Sequence, residues 1–229
     1  MKRSLPFIII ALVALLTVGI ATMVYRAKVQ PAPVTAAAPV TTGAASPTPA
    51  NAREDPSLHV RGPLGAPVTL EIYGDFQCPS CALVSQAIDD LQKQYAGKLQ
   101  IVFHEFPLAM HNHAVDAARA AEAAGLQGHF WEMHDLLYQY QPIWSKATTP
   151  SFFFAAYAKS IGLDVERFKA DLESPDVQTR VITDADGGNA RGVKNTPTIF
   201  INGHQVISAF TFEKLQELVE EALAAKKNS

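Results

Sequence analysis

Gly74-Asp75-Phe76-Gln77-Cys78-Pro79-Ser80-Cys81 holds the only two cysteines of the 229 residues, three positions apart. A lone C-x-x-C admits three readings: a redox pair, half of a zinc site, or a short inert disulfide. A closed zinc site needs four ligands, and no third cysteine exists. His111 and His113, the nearest paired histidines, are two apart and point to different faces of a helix. A disulfide within one helical turn closes too short a loop to stabilise much. The redox reading fits best, and the sequence around the pair supports it.

Val68–Tyr73 before the motif is rich in β-formers and is opened by Pro67. After Pro79 the apolar residues Val84, Ala87, Ile88, Leu91 and Tyr95 recur at helical spacing. Gly97 ends that helix, and Leu99–Phe103 reads as a second strand. Strand, helix and strand at these lengths predict a right-handed βαβ unit with a parallel pair. Near the other end, Thr198–Ile201, Asn202-Gly203 and a β-rich stretch to Ile207 predict a hairpin on a type I′ turn. Thr211 is placed to cap a last helix that buries Phe212, Leu215, Val219 and Ala222.

Between these halves, about residues 109–194, the pattern is almost wholly helical. Helices are predicted over His113–Gly125 and His129–Tyr140, from Thr149-Pro150 with proline at the first position, from an Asp164 cap, and from Ser174-Pro175. Gly187-Gly188 predicts a kink or break in the last of these. No linker composition flanks this segment, so residues 57–229 are expected to form one domain with a helical insertion. Phe152-Phe153-Phe154, Trp131 and Trp144 are expected to pack it, with the phenylalanine run alternatively lining a groove for unfolded chains.

The N-terminal part is of another kind. Residues 4–25 carry no charge, and 22 helical residues reach roughly 33 Å, enough for a hydrocarbon core of about 30 Å. This predicts a signal anchor or transmembrane helix within residues 1–28. A cleaved signal peptide, cut after Gly19-Ile20-Ala21, is the alternative. Residues 29–56 hold six prolines and no apolar period, the composition of an extended linker. The net charge of −3, with no basic patch interleaved with aromatics, gives no sign of a nucleic-acid partner.

The order β, C-x-x-C helix, β, helical insert, Thr-Pro strand, hairpin, helix resembles the DsbA-like branch of the thioredoxin superfamily. GDFQCPSC, Glu105-Phe106-Pro107-Leu108, GHFWEMHDLLY and NTPTIFING carry the likeness, which spans roughly residues 57–229. It implies a thioredoxin-like α/β fold with an inserted helical domain, preceded here by a single N-terminal membrane helix. The implied activity is thiol:disulfide exchange outside the cytoplasm, forming disulfides in secreted proteins, with no cofactor. A membrane-anchored reductase or isomerase and a non-catalytic binding module are the alternatives. The expected place is the inner (cytoplasmic) membrane, single-pass, with the domain in the periplasm or its equivalent. Reduced or unfolded secreted proteins and a membrane redox partner, quinone-linked as in the family, would be the partners.

The resemblance makes Cys78 the nucleophile and Cys81 the resolving thiol. A reactive thiolate lies at about pKa 3.5–7, which takes about 2–7 kcal/mol from the free value. A helix N-terminus supplies only about 0.3–2 kcal/mol. Hydrogen bonds from the Ser80 and Cys81 N–H groups and the Cys81 thiol are therefore expected at the Cys78 sulfur. Thr196-Pro197 is expected to be cis, to sit against that sulfur, and to offer the backbone of residue 196 to an extended substrate. The family often has a carboxylate beneath the sulfurs, but that position falls on Ile72. Glu71 then faces the opposite way, as a surface residue. Asp75 is expected to hold the turn before the motif.

Overall fold

The computed structural model describes residues 59–207 and 210–227. The expected anchor at 4–25 and linker at 29–56 lie outside these residues. Among the described residues, no helix is long and apolar enough to cross a membrane.

The predicted βαβ unit is present. Strand β2 (Val68–Gly74), helix α1 (Pro79–Gln94) and strand β3 (Leu99–Glu105) form it, with β2 and β3 parallel and Ile72 opposite Phe103. Strand β4 (Thr198–Ile201) runs antiparallel to β2, with Ile72 opposite Ile199. The chain turns at Asn202 (φ 48°) and Gly203 (φ 82°), positive angles at both centres as a type I′ turn requires. The returning strand β5 is shorter than expected, ending after His204–Gln205. Strand β1 (His59–Arg61), which no sequence signal announced, pairs antiparallel with β3 and completes the order β1-β3-β2-β4-β5.

One face of this sheet carries Leu70, Ile72, Ile101, Phe103, Ile199 and Ile201. They enter a core shared with Val84, Ile88 and Leu91 of α1 and with Leu215 and Val219 of α8 (Phe212–Lys227). Thr211 caps α8 through a hydrogen bond from the Lys214 N–H to Oγ1. The other face gathers Tyr73, Phe106, Val193 and Phe200 into a smaller cluster.

The helices between β3 and β4 are α2 (Ala114–Gly125), α3 (Phe130–Gln139), α4 (Gln141–Trp144), α5 (Ser151–Ser160), α6 (Val165–Leu172) and α7 (Pro175–Ala190). Alanines 117, 118, 120, 121, 123 and 124 are all buried, so α2 approaches its neighbours closely through small side chains. Asp164 accepts from Arg167 N and Ser174 from Val177 N, so two predicted caps are in place. The short α4 had no sequence signal. Pro150 is the N-cap of α5 and not its first residue. Trp144 is fully buried against Phe154, whereas Trp131 is only partly buried.

Two expectations fail, the first only in part. Consecutive helical residues are about 100° apart, so Phe152, Phe153 and Phe154 cannot share one face. Phe154 is buried, Phe153 is partly so, and Phe152 is 75 % exposed. The second failure is the kink, because α7 runs unbroken through Gly187 and Gly188. Packing explains the second glycine: a Cβ on Gly188 would lie 2.7 Å from the Phe106 ring and 2.9 Å from Tyr73. At Gly187 a Cβ would meet nothing within 4 Å.

Gly188→Ala should therefore destabilise by about 1–3 kcal/mol, against a helix-propensity gain of about 1 kcal/mol. Gly187→Ala should keep that gain and raise Tm. Thermal unfolding followed by circular dichroism checks both, and equal effects would refute the packing argument.

Candidate active site

Cys78 is the N-cap of α1, with extended backbone (φ −73°, ψ 120°) and Pro79 opening the helix. Its carbonyl accepts from the N–H groups of Cys81 and Ala82. Both cysteines are free thiols, and both are buried, Cys78 at 7 % exposure and Cys81 at 3 %.

The loop that delivers Cys78 is held from three directions. Asp75, buried to 1 % exposure, accepts from Gln77 N at Oδ1 and from Leu108 N at Oδ2, with His111 Nδ1 2.7 Å from Oδ2. Gln141, at the start of α4, donates from Nε2 to the carbonyls of Phe76 (2.6 Å) and Cys78 (2.9 Å). Gln77 accepts from His113 N and donates to the Ser145 carbonyl. The insert thus grips the motif through α4 and the turn before α2. Sequence reading reached Asp75 and missed Gln141, Gln77 and His111, whose partners lie 36 to 68 positions away.

The Thr196-Pro197 peptide is cis, and the Thr196 carbonyl lies 3.4 Å from Cys78 Sγ. Thr198 Oγ1 donates to the Asn195 carbonyl and closes the turn that brings this segment in. The Thr196 hydroxyl is shut from solvent beside the same sulfur. All four expected site residues, Cys78, Cys81, Thr196 and Pro197, therefore meet at one place.

The two sulfurs are electrostatically unlike. The Cys78 pKa falls to about 5, chiefly because the Cys81 thiol donates to its sulfur. Burial opposes this, while the Thr196 hydroxyl and the N–H groups of Cys81 and Ser80 add to it. About 1.4 kcal/mol moves a pKa by one, so the 0.3–2 kcal/mol of a helix N-terminus is too small to account for the drop. The Cys81 thiol is pushed far up, first by burial and then by donating to Cys78, and stays protonated at any ordinary pH. Such a pair presents one thiolate nucleophile with a neutral thiol behind it.

Glu71 sits on the sheet face away from the sulfurs. There it ion-pairs with Arg191, whose guanidinium stacks 3.9 Å from the Phe200 ring centre. It is half-buried and not fully on the surface. Ile72 takes the sulfur side, as the alternation of the strand requires. Glu105 is fully buried with both oxygens unpartnered, and burial, then Glu122, Asp184 and Asp75, push its pKa well above the usual carboxylate range. Among the described residues, no group of His, Cys, Asp or Glu side chains is placed to hold a metal.

A family model described as thioredoxin matches residues 54–221. Among solved structures, the chain is similar to oxidised BdbD from Bacillus subtilis, with TM-score 0.66 and 26 % identity over 73 % of this chain and 94 % of that one. It is also similar to a thioredoxin-like oxidoreductase from Silicibacter pomeroyi (TM-score 0.62, 24 % identity, 74 % and 94 % covered). The thiol-disulfide exchange protein α-DsbA2 from Wolbachia pipientis likewise shares the fold (0.63, 19 %, 72 % and 87 %). Of curated relatives, the Na(+)/H(+) antiporter NhaA 1 of Salinispora arenicola is 39 % identical over 170 residues, 74 % of this chain and 25 % of that protein. The same-named protein of Mycolicibacterium gilvum is 43 % identical over 150 residues, 63 % and 23 %. The chain spans about a quarter of the length of these curated relatives.

Titration of the reduced protein by thiolate absorbance should give a Cys78 pKa near 5, and Cys81→Ala should raise it, because the largest stabilising donor is removed. A pKa depressed on folding contributes stability that is complete above the unfolded value and is lost as pH falls through the folded one. From about pH 8.5 down to 5, the dithiol form should lose Tm relative to the disulfide form. A gap between the two forms that is flat with pH over this range would refute the assignment.

Proposed function

The chain belongs to the thioredoxin family, as a DsbA-like thiol:disulfide oxidoreductase, and from that premise we propose that it donates its Cys78–Cys81 disulfide to reduced secreted proteins. A substrate thiolate attacks the Cys78 sulfur, and the Cys78–Cys81 bond breaks with its electron pair passing to Cys81. The mixed disulfide is then resolved by a second substrate thiol, leaving the enzyme as a Cys78 thiolate and a Cys81 thiol. Backbone at Thr196, turned toward the sulfur by cis Pro197, pairs with the extended substrate as a temporary strand.

The observation that carries the oxidising direction is the Cys78 pKa of about 5. Each pKa decrement on the reduced thiolate is worth about 1.4 kcal/mol, or roughly 30 mV for a two-electron couple. Stabilising the reduced form makes the disulfide the stronger oxidant. Thioredoxin, with a thiol near 7, is a reductant, and DsbA near 3.5 is a strong oxidant. A value of about 5 lies between the two, displaced from the thioredoxin value toward that of the oxidant.

The setting is an oxidising compartment, where such a disulfide persists. Residues 1–28 would anchor the chain in the cytoplasmic membrane, and residues 29–56 would let the domain reach substrates and a membrane-bound redox partner. Support comes from the curated relatives, in which a domain 39 % identical to this one is part of a chain named as an ion antiporter, a membrane protein.

Equilibration of the full chain with glutathione buffers, with free thiols trapped at each ratio, tests the direction. A potential above about −180 mV is expected. One below about −240 mV would make the pair an electron donor and overturn the reading. Cys78→Ser should abolish exchange outright in the same assay.

A further inference from the structure

Resolution at this site faces a difficulty that the cysteines cannot solve between them. Cys81 reacts only as a thiolate, yet its surroundings hold it neutral. The carboxylate that the resemblance placed beneath the sulfurs is absent, since Ile72 occupies that position. Among the described residues, Glu105, Glu122 and Asp171 have buried carboxyl oxygens without a hydrogen-bond partner, and none of the three lines the space behind Cys81.

That space is a cavity of about 20 Å³, room for a single water. Its polar walls are Cys81 and the side chains of Ser85, Asp89, His134 and Tyr138, and Pro197 closes part of it. His134 is buried at 4 % exposure and caged by aromatic rings, its ring centre 4.9 Å from Phe103, 4.9 Å from Trp131 and 5.0 Å from Tyr138. Its Nδ1 lies 2.8 Å from Asp135 Oδ1. Arg61 grips the same carboxylate from β1, with NH2 at 2.7 Å from Oδ2 and 2.9 Å from Oδ1. Burial alone would raise Asp135, but the His134 hydrogen bond and then Arg61 keep it below the usual carboxylate range. It is therefore ionised and has no proton to give. Nδ1 must carry the hydrogen, which leaves Nε2 as a bare acceptor.

We propose that His134, fixed in this tautomer by Asp135 and Arg61, accepts the Cys81 proton through one water in the cavity and returns it in the reverse step. In resolution, the Cys81 S–H bond breaks, its proton passes to the water, and a water proton passes to Nε2. The Cys81 thiolate then attacks the Cys78 sulfur, and the Cys78–Cys81 bond forms as the partner leaves as a thiolate. When the enzyme's own disulfide is opened, the imidazolium supplies the proton that Cys81 needs. His134 thus serves as a positioned relay, one water removed from the reacting sulfur.

The groups facing the imidazole are consistent with this task. Asp135 and Tyr138 approach from α3, Arg61 from β1, and Asp89 and Cys81 from α1. Burial, the largest influence, lowers the His134 pKa, and Arg61 acts in the same direction, while Asp135 and Asp89 oppose. The ring is a neutral base at pH 7. Tyr138 is pushed well above its ordinary value by burial and then by Cys81, so its hydroxyl keeps its proton and can only pass one along.

The proposal rests on exchange at Cys78 and Cys81 and not on the direction of electron flow. Reduced full-chain protein mixed rapidly with dithiobis(nitrobenzoate) should release the coloured thiol in two phases, first from attack by Cys78 and then from resolution by Cys81. In the wild type, the second rate should level off once His134 is neutral. In His134→Gln it should fall by about 10²-fold at pH 7 and climb about tenfold per pH unit, with the first phase unchanged. A second phase in His134→Gln within about twofold of wild type, with the same pH profile, would overturn the relay. No second phase in the wild type would instead sink Cys78–Cys81 exchange, and the relay with it. If His134→Gln lowers Tm sharply, ¹⁵N NMR of wild-type His134 decides. A bare Nε2 and a protonated Nδ1 are expected, and a proton on Nε2 refutes the proposal.

Discussion

The hydrogen bond from the Cys81 thiol to the Cys78 sulfur is the interaction on which the chemistry of this domain depends. It holds a charge on the outer sulfur and a proton on the inner one, so two identical side chains one helical turn apart acquire opposite roles. A dipole alone would act on both sulfurs in the same sense. A directed donor makes them unlike, and it requires that the first turn of α1 be rigid and closed on one side.

Much of the fold serves that requirement. Asp75 ties the motif loop to the Leu108–His111 turn, and Gln141 ties it to α4. The cis peptide at Pro197 closes the outer side, and the rings of Phe76, Phe103 and Tyr138 fill in beneath. The helical insert is thus more than a cover for the sheet. Buried polar clamps of this kind are costly when half satisfied and specific when complete, and both oxygens of Asp75 have partners.

The sequence was most legible where the physics is local. Strand alternation around Ile72, the helical stripe of α1, the Asn202-Gly203 turn, and the caps at Asp164, Ser174 and Thr211 all follow from neighbours within a few positions. It was less legible where a residue answers to something distant. Gly188 reads as a helix breaker until Phe106 and Tyr73 are seen against it. The three phenylalanines at 152–154 read as a packing block until the helical screw turns one outward. His59–Arg61 is too short to signal a strand without β3 beside it. At the site, the two cysteines and Thr196-Pro197 were readable because each sits in a short motif. Gln141 and His134 were not, since nothing near them in the chain shows which loop or cavity they face.

Arg61 leaves the domain with an unusual weak point. It belongs to a three-residue edge strand and also stacks on Trp131, pairs with Asp89, and holds the carboxylate that orients His134. β1 lies at the edge of the sheet and is held by three residues paired with β3, so fraying at that edge is felt by this guanidinium. Peeling β1 from β3 would release Asp135 and free the imidazole to rotate, while the sheet core and both sulfurs stayed in place. Loosening of this edge strand would then act as a brake on proton transfer, at a point well removed from the cysteines in sequence.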